Sequence, residues 1–216
     1  MDSTILVSII GAISTITVSV LLYRKDIKVK KMEIASAEQK ADAKHQSIKI
    51  NALDKLLDFT SFNTIRNSVD RIFENTKADR FMILIAVNGK TDFNIVSVIF
   101  EQHKTAKWKV NAIIRYRDVH IDNEYRQLLK DAEYKGVVDI KVDDMKSQLL
   151  KDFYVLEKVR YSKIQFLHRE SVDEDNDVLI FSSVSTHTDK PFTKIENAVI
   201  KTEYEGTITH TIKNYV

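Results

Sequence analysis

Six histidines are the first residues to test for chemistry: His45, His103, His120, His168, His187 and His210. No two stand four apart, as a helical zinc pair requires, and no His-Glu-x-x-His sequence occurs. Ser185 and His187, in "STH", face the same side of a strand. A nucleophile and its base also need mutual contact and a third, orienting group, and the sequence offers none. The carboxylates Asp143, Asp144 and Glu157 have no second ligand cluster to complete a metal site. "DEDND", residues 173–177, has the composition of a calcium loop but lacks the glycine and terminal glutamate of an EF-hand, so it reads as an acidic turn. The chain contains no cysteine. Disulfides, thiolate metal sites, cysteine nucleophiles and thioether-linked chromophores are thereby excluded. No catalytic residue and no metal site is predicted, and no cofactor is indicated.

Binding chemistry is better represented. "RYRDVH" sets Arg115 and Arg117 two apart, near Trp108. An arginine pair beside aromatics could clamp an anion or a base. With formal net charge +2 and 30% charged residues of both signs, the surface is a solvated one and not a nucleic-acid footprint.

The elements that must position these groups follow from periodicity. Ile65, Val69, Ile72 and Phe73 fall on one helical stripe that stops near Asn75-Thr76. Residues 81–87 are a continuous apolar strand, Asn88-Gly89 is a turn signal, and residues 93–100 form the return strand. Both strands are apolar on both sides, so their sheet must be covered on each face. "WKVNAIIRYRDVHI" predicts a third strand. Residues 122–133 predict a helix with Tyr125, Leu128, Leu129 and Ala132 inward, residues 136–142 a strand, and residues 145–155 a helix presenting Leu149, Leu150, Phe153 and Tyr154. "YSKIQFLHRES" and "VLIFSSVSTH" predict two strands joined by the acidic turn. Thr193 and Glu196 form a capping box opening the last helix. Its face is expected to run through Ile195, Ala198, Val199, Thr202, Ile208 and Ile212. Antiparallel pairs flanked by helices make the fold class α+β.

Residues 5–23 hold no Asp, Glu, Lys, Arg, Asn or Gln, and about 20 such residues cross a bilayer core. No base precedes the run, as a secretory signal would require. Arg24, Lys25, Lys28, Lys30 and Lys31 follow it. The expectation is a retained transmembrane anchor over 1–23 with the remaining chain in the cytoplasm, as a single-pass membrane protein. Residues 24–50 lack Gly and Pro, and Ile27, Ile34, Ala41 and Ile48 recur every seventh position. This predicts a helical connector able to pair two copies as a homodimer.

From 51 to 216 the order of elements resembles a GAF domain, or its PAS-like relatives. The resemblance is carried by "IFENTKADRFMILIAVNG", with its Ala-Asp-Arg triplet opening the first strand, by "YSKIQFLHRES…VLIFSSV", and by "HTDKPFTKIENAVI" with its Phe-Thr-x-x-Glu. It implies a non-catalytic sensor of a small-molecule ligand, or a docking module for a protein partner. Arg115, Arg117, Tyr125, Phe153, Tyr154 and Tyr161 would line the pocket. The Asn-Lys-x-Asp-type signature of cyclic-nucleotide GAF domains is absent, as is the chromophore-attaching cysteine of phytochrome-type ones. A second resemblance, architectural only, is to the holins of T-even phages, whose soluble domain is exported. The basic cluster after Tyr23 argues against that orientation.

Overall fold

The computed structural model describes residues 59–87, 93–108, 111–171 and 177–215. The expected anchor and connector, the five topology-setting cations and the Asn88-Gly89 turn lie outside the described residues, as does most of the acidic turn. Among the described residues, no helix is long and apolar enough to cross a membrane.

The first helix, α1 (Phe59–Asn75), buries Ile65, Val69, Ile72 and Phe73, as its stripe predicts. Its last carbonyls are closed locally. The Asn75 amide donates to Arg71 O (2.8 Å) and the Thr76 hydroxyl to Ile72 O (2.7 Å). β1 (Arg80–Val87) is buried along its whole length. It pairs antiparallel with both β2 (Ile95–His103) and β6 (Asp177–Thr186). β6 pairs in turn with β5 (Tyr161–Ser171), and β5 with β4 (Val137–Lys141). With the two-residue β3 (Val119–His120), the sheet has, among the described residues, six strands in the order β3-β2-β1-β6-β5-β4.

Alternation along the central strands sends side chains to two different cores. Phe81, Ile83, Ile85 and Val87 meet α1 and the C-terminal helices α5 (Lys194–Glu203) and α6 (Thr209–Tyr215). Met82, Leu84 and Ala86 meet α3 (Asn123–Lys135) and α4 (Gln148–Leu156). The double cover expected of an apolar hairpin is therefore present. Gly136 (φ 81) supplies the left-handed residue that stops α3 and starts β4 one residue later.

Two expectations are corrected. The segment after β2 is not a strand along its length. It forms a 3₁₀ turn (Ala106–Trp108), the short helix α2 (Ala112–Arg115) and only then β3. Asn111 (φ 54) and Asp118 (φ 53) are left-handed and break any extended run. Ala112 and Tyr116 are buried four apart, while Ile113 and Ile114 are exposed. That burial follows a helical period and not a strand's. In the last helix, Ile195, Ala198 and Thr202 are exposed, and the buried face is Ile200, Tyr204, Ile208 and Ile212. A π turn (Tyr204–Ile208) accommodates that row. The capping box is present: Glu196 N–H donates to Thr193 Oγ1 (3.3 Å) and Thr193 N–H to Glu196 Oε2 (2.7 Å).

Candidate ligand site

β1 begins with the only charged residue of an otherwise apolar strand, and its parity matches Met82, Leu84 and Ala86. Arg80 is therefore aimed at the α3–α4 side, where it is 1% exposed. It forms a salt bridge there with Glu157, itself 5% exposed. Glu157 caps the C-terminal end of α4, and the next residue, Lys158, is left-handed (φ 56). The Tyr116 hydroxyl donates to the other carboxylate oxygen of Glu157. Arg80 Nη2 lies 3.4 Å from Ser185 Oγ, and its guanidinium carbon is 5.4 Å from the Tyr154 ring centre.

Behind the ion pair stands a cluster of hydroxyls from β5, β6 and α4. Ser162 Oγ is 2.9 Å from Ser183 Oγ and 3.0 Å from Ser185 Oγ, and the Tyr154 hydroxyl is 3.2 Å from both Ser162 and Ser183. Ser162, Ser183 and Ser185 are all buried. Hydroxyls in an apolar core are costly unless paired, and here they pair with one another.

The roof is held by one carboxylate. Asp122 caps α3 by accepting from Tyr125 N (2.7 Å). It also accepts from Ser147 Oγ (2.9 Å) and Leu149 N (3.2 Å) at the start of α4. Ser147 caps α4 through Leu150 N (3.1 Å). Both helices thus begin at a shared anchor and run over the sheet. Beneath them is a cavity of about 30 Å³ bordered by Met82, Leu84, Tyr125, Leu150, Tyr154 and Glu157. Burial pushes the Tyr125 and Tyr116 hydroxyls above the usual tyrosine range, so both stay protonated donors. Burial also lowers the Arg80 guanidinium from the usual arginine range.

Of the residues singled out from sequence, Tyr125, Phe153 and Tyr154 border this cavity. Arg115 and Arg117 do not. Both are exposed, and Arg117 Nε lies 3.5 Å from Asp118. Tyr161 is half-buried and borders a separate groove of about 700 Å³ beside β4. A third groove, of about 940 Å³, runs between β5 and the C-terminal helices, and four of its five Lys and Arg residues, Lys135, Lys163, Arg169 and Lys201, face Asp131, Asp139, Glu133 and Glu205. As pocket residues Arg80, Tyr116, Ser162 and Ser183 were missed, while Glu157 and Ser185 were weighed only for metal and nucleophile chemistry. Arg80 was visible as a charge on the inward parity of an all-apolar strand.

Ser185 and His187 are not partners. Ser185 belongs to the hydroxyl cluster, whereas His187 Nδ1 lies 3.0 Å from Lys158 O. Among the described residues, no group of three or more His, Asp or Glu could hold a metal ion.

No family model and no curated protein matches the chain. Solved structures do resemble it in shape. A GAF domain/HD domain protein from Geobacter sulfurreducens is 12% identical over 76% of this chain and 97% of its own, with a TM-score of 0.50. The GAF domain of a two-component sensor histidine kinase from Bacillus halodurans is 10% identical over 70% of this chain and 92% of its own, with a TM-score of 0.48. At such identities the likeness is one of fold. The antiparallel six-stranded sheet, covered by helices on both faces, is a GAF-like fold.

Proposed function

We propose that this chain is a non-catalytic sensory module that binds a small molecule between its sheet and helices α3 and α4. In this reading residues 1–23 anchor it in the membrane and the GAF-like domain lies in the cytoplasm. Residues 24–50 join two copies. A ligand acts by favouring one arrangement of the pair, or one state of a docked protein, over another.

The observation that supports ligand binding is the polar interior of one core. A buried ion pair seldom stabilises more than apolar residues of the same volume would. Arg80 and Glu157 thus stand in this core at some cost to stability. They lie beneath two helices whose N-terminal ends are tied together at Asp122.

The test is a small-molecule screen on the full chain in detergent, read by thermal unfolding. A ligand at one hundred times its Kd stabilises by about 2.7 kcal/mol. The expected result is a saturable rise in Tm that Tyr125→Phe or Tyr154→Phe weakens. A complete absence of stabilising molecules, or binding indifferent to both variants, would overturn this reading. Orientation is tested with Asn214→Cys, which gives this cysteine-free chain a unique thiol. An impermeant reagent should label it only after cells are opened. Labelling of intact cells would place the domain outside and favour the holin-like alternative.

A further inference from the structure

We infer that the ligand of this pocket carries a carboxylate, and that Glu157 occupies its place as an internal stand-in. The inference rests on the proposed ligand site and narrows it to one chemical class. Three observations carry it.

The first is volume. A cavity of about 30 Å³ holds about one or two waters, not a metabolite. A ligand must therefore displace part of the wall.

The second is the contrast between the two charges. Arg80 starts β1, which is paired on both sides by β2 and β6, so it is held in the centre of the sheet. Glu157 sits where α4 runs out, between the exposed Val155 (60%) and Leu156 (64%) and the left-handed Lys158. Tyr116 and Glu157 are the two buried wall residues on thin turns with exposed neighbours, and Glu157 is the carboxylate of the pair. It is the part able to leave.

The third is what remains when it leaves. Arg80 is 1% exposed, and its Nε–H has no hydrogen-bond partner among the described residues. An arginine stripped of its counter-ion in such a place carries a large desolvation penalty. A neutral ligand would leave that penalty standing. A carboxylate would remove it, accept the Tyr116 hydroxyl in place of Glu157, and extend its apolar part against Met82, Leu84 and Leu150. Selectivity thus follows from the cost of the alternative. Binding in the wild-type chain is weakened because Glu157 competes from within the same molecule.

The test uses the full chain in detergent with matched probes: propionate and benzoate against propionamide and benzamide, at constant ionic strength. The carboxylates are expected to bind and the amides not. Glu157→Gln removes the competitor and should tighten carboxylate binding about tenfold. Arg80→Met should weaken it by about thirtyfold or more. A merely structural role for the pair predicts the opposite sign at Glu157, since a damaged pocket binds more weakly. If Glu157→Gln does not fold, the wild-type Arg80 Nε–H resonance decides. It should shift with benzoate and stay fixed with benzamide. Amides binding as well as carboxylates would overturn the inference while leaving the pocket itself intact. Failure of every probe on every variant would overturn the carboxylate site, and the separate screen would then judge whether the pocket binds anything at all.

Discussion

The two faces of the sheet are built from the same six strands but to different purposes. Against α1, α5 and α6 the filling is mainly apolar, with a buried hydroxyl pair in which Ser182 Oγ donates to the Tyr204 hydroxyl (2.7 Å) and no buried ion pair among the described residues. Phe81 meets Phe100 at 5.8 Å and Tyr204 at 6.1 Å between ring centres. Polar groups on this side act mainly at the margins. Arg71 and Ser68 of α1 hold Glu203 of α5 at 2.7 and 2.5 Å, and Glu196 reaches Lys77 N at 2.9 Å. Against α3 and α4 the filling includes a salt bridge, a tyrosine hydroxyl on a carboxylate and a serine cluster. The first face holds the fold together. The second carries a buried ion pair that a purely structural core would omit, and that difference is the ground on which a ligand is proposed there.

Substitutions can break the comparison. The largest loss is expected from Phe81→Ala on the structural face, about 3–5 kcal/mol, measured by chemical unfolding. Where that variant still folds, its binding constant should be unchanged. Glu157→Ala on the other face should cost about 3–5 kcal/mol, because it leaves a buried guanidinium without a counter-ion. Its signature differs from a cavity's: replacing Arg80 by Met in the same chain should restore most of the loss, a coupling that a double-mutant cycle reads directly.

Smaller effects sharpen the contrast. Thr193→Ala removes the cap of α5 and should cost about 1 kcal/mol without touching binding. Glu196 gives a pH test of the same joint. Partial burial works against its ionisation, yet hydrogen bonds from Thr193 and Lys77 prevail and hold it at about 2. A carboxylate lowered in the folded state stabilises above its unfolded value of 4.5, and that contribution fades as pH falls towards 2. Allowing for solvent screening, roughly 1–2 kcal/mol should disappear over this window. In Glu196→Gln the pH dependence of Tm should flatten by that amount. Arg117→Ala, at an exposed turn, should change stability by less than about 0.5 kcal/mol.

Much of this architecture was legible in the sequence because periodicity is local. The all-apolar run at 81–87 required a doubly covered strand, and the stripe from Ile65 to Phe73 required a buried helix. Thr193 and Glu196, three apart, named the capping box that opens the closing helix. Other features depend on distant partners. Nothing near Glu157 in the chain tells that Arg80 will meet it, 77 positions away by 157 − 80. The Ile113-Ile114 pair suits a strand by composition, but left-handed Asn111 and Asp118 and the Glu101 carboxylate on Ala112 N (2.6 Å) turn it into a helical loop. Arg115 and Arg117 were drawn to the pocket by the strand that did not form. Tyr125, Phe153 and Tyr154 were found because helical inward faces can be read without knowing what they face.

The most direct measurement joins stability to binding in the double variant Arg80→Met/Glu157→Leu, which replaces the ion pair with apolar side chains. If the pair is kept for a ligand, this protein should be as stable as the wild type or more so, by about 0–4 kcal/mol, and should bind no carboxylate probe. A double variant that is markedly less stable yet binds as before would contradict the account and return both residues to the structural core.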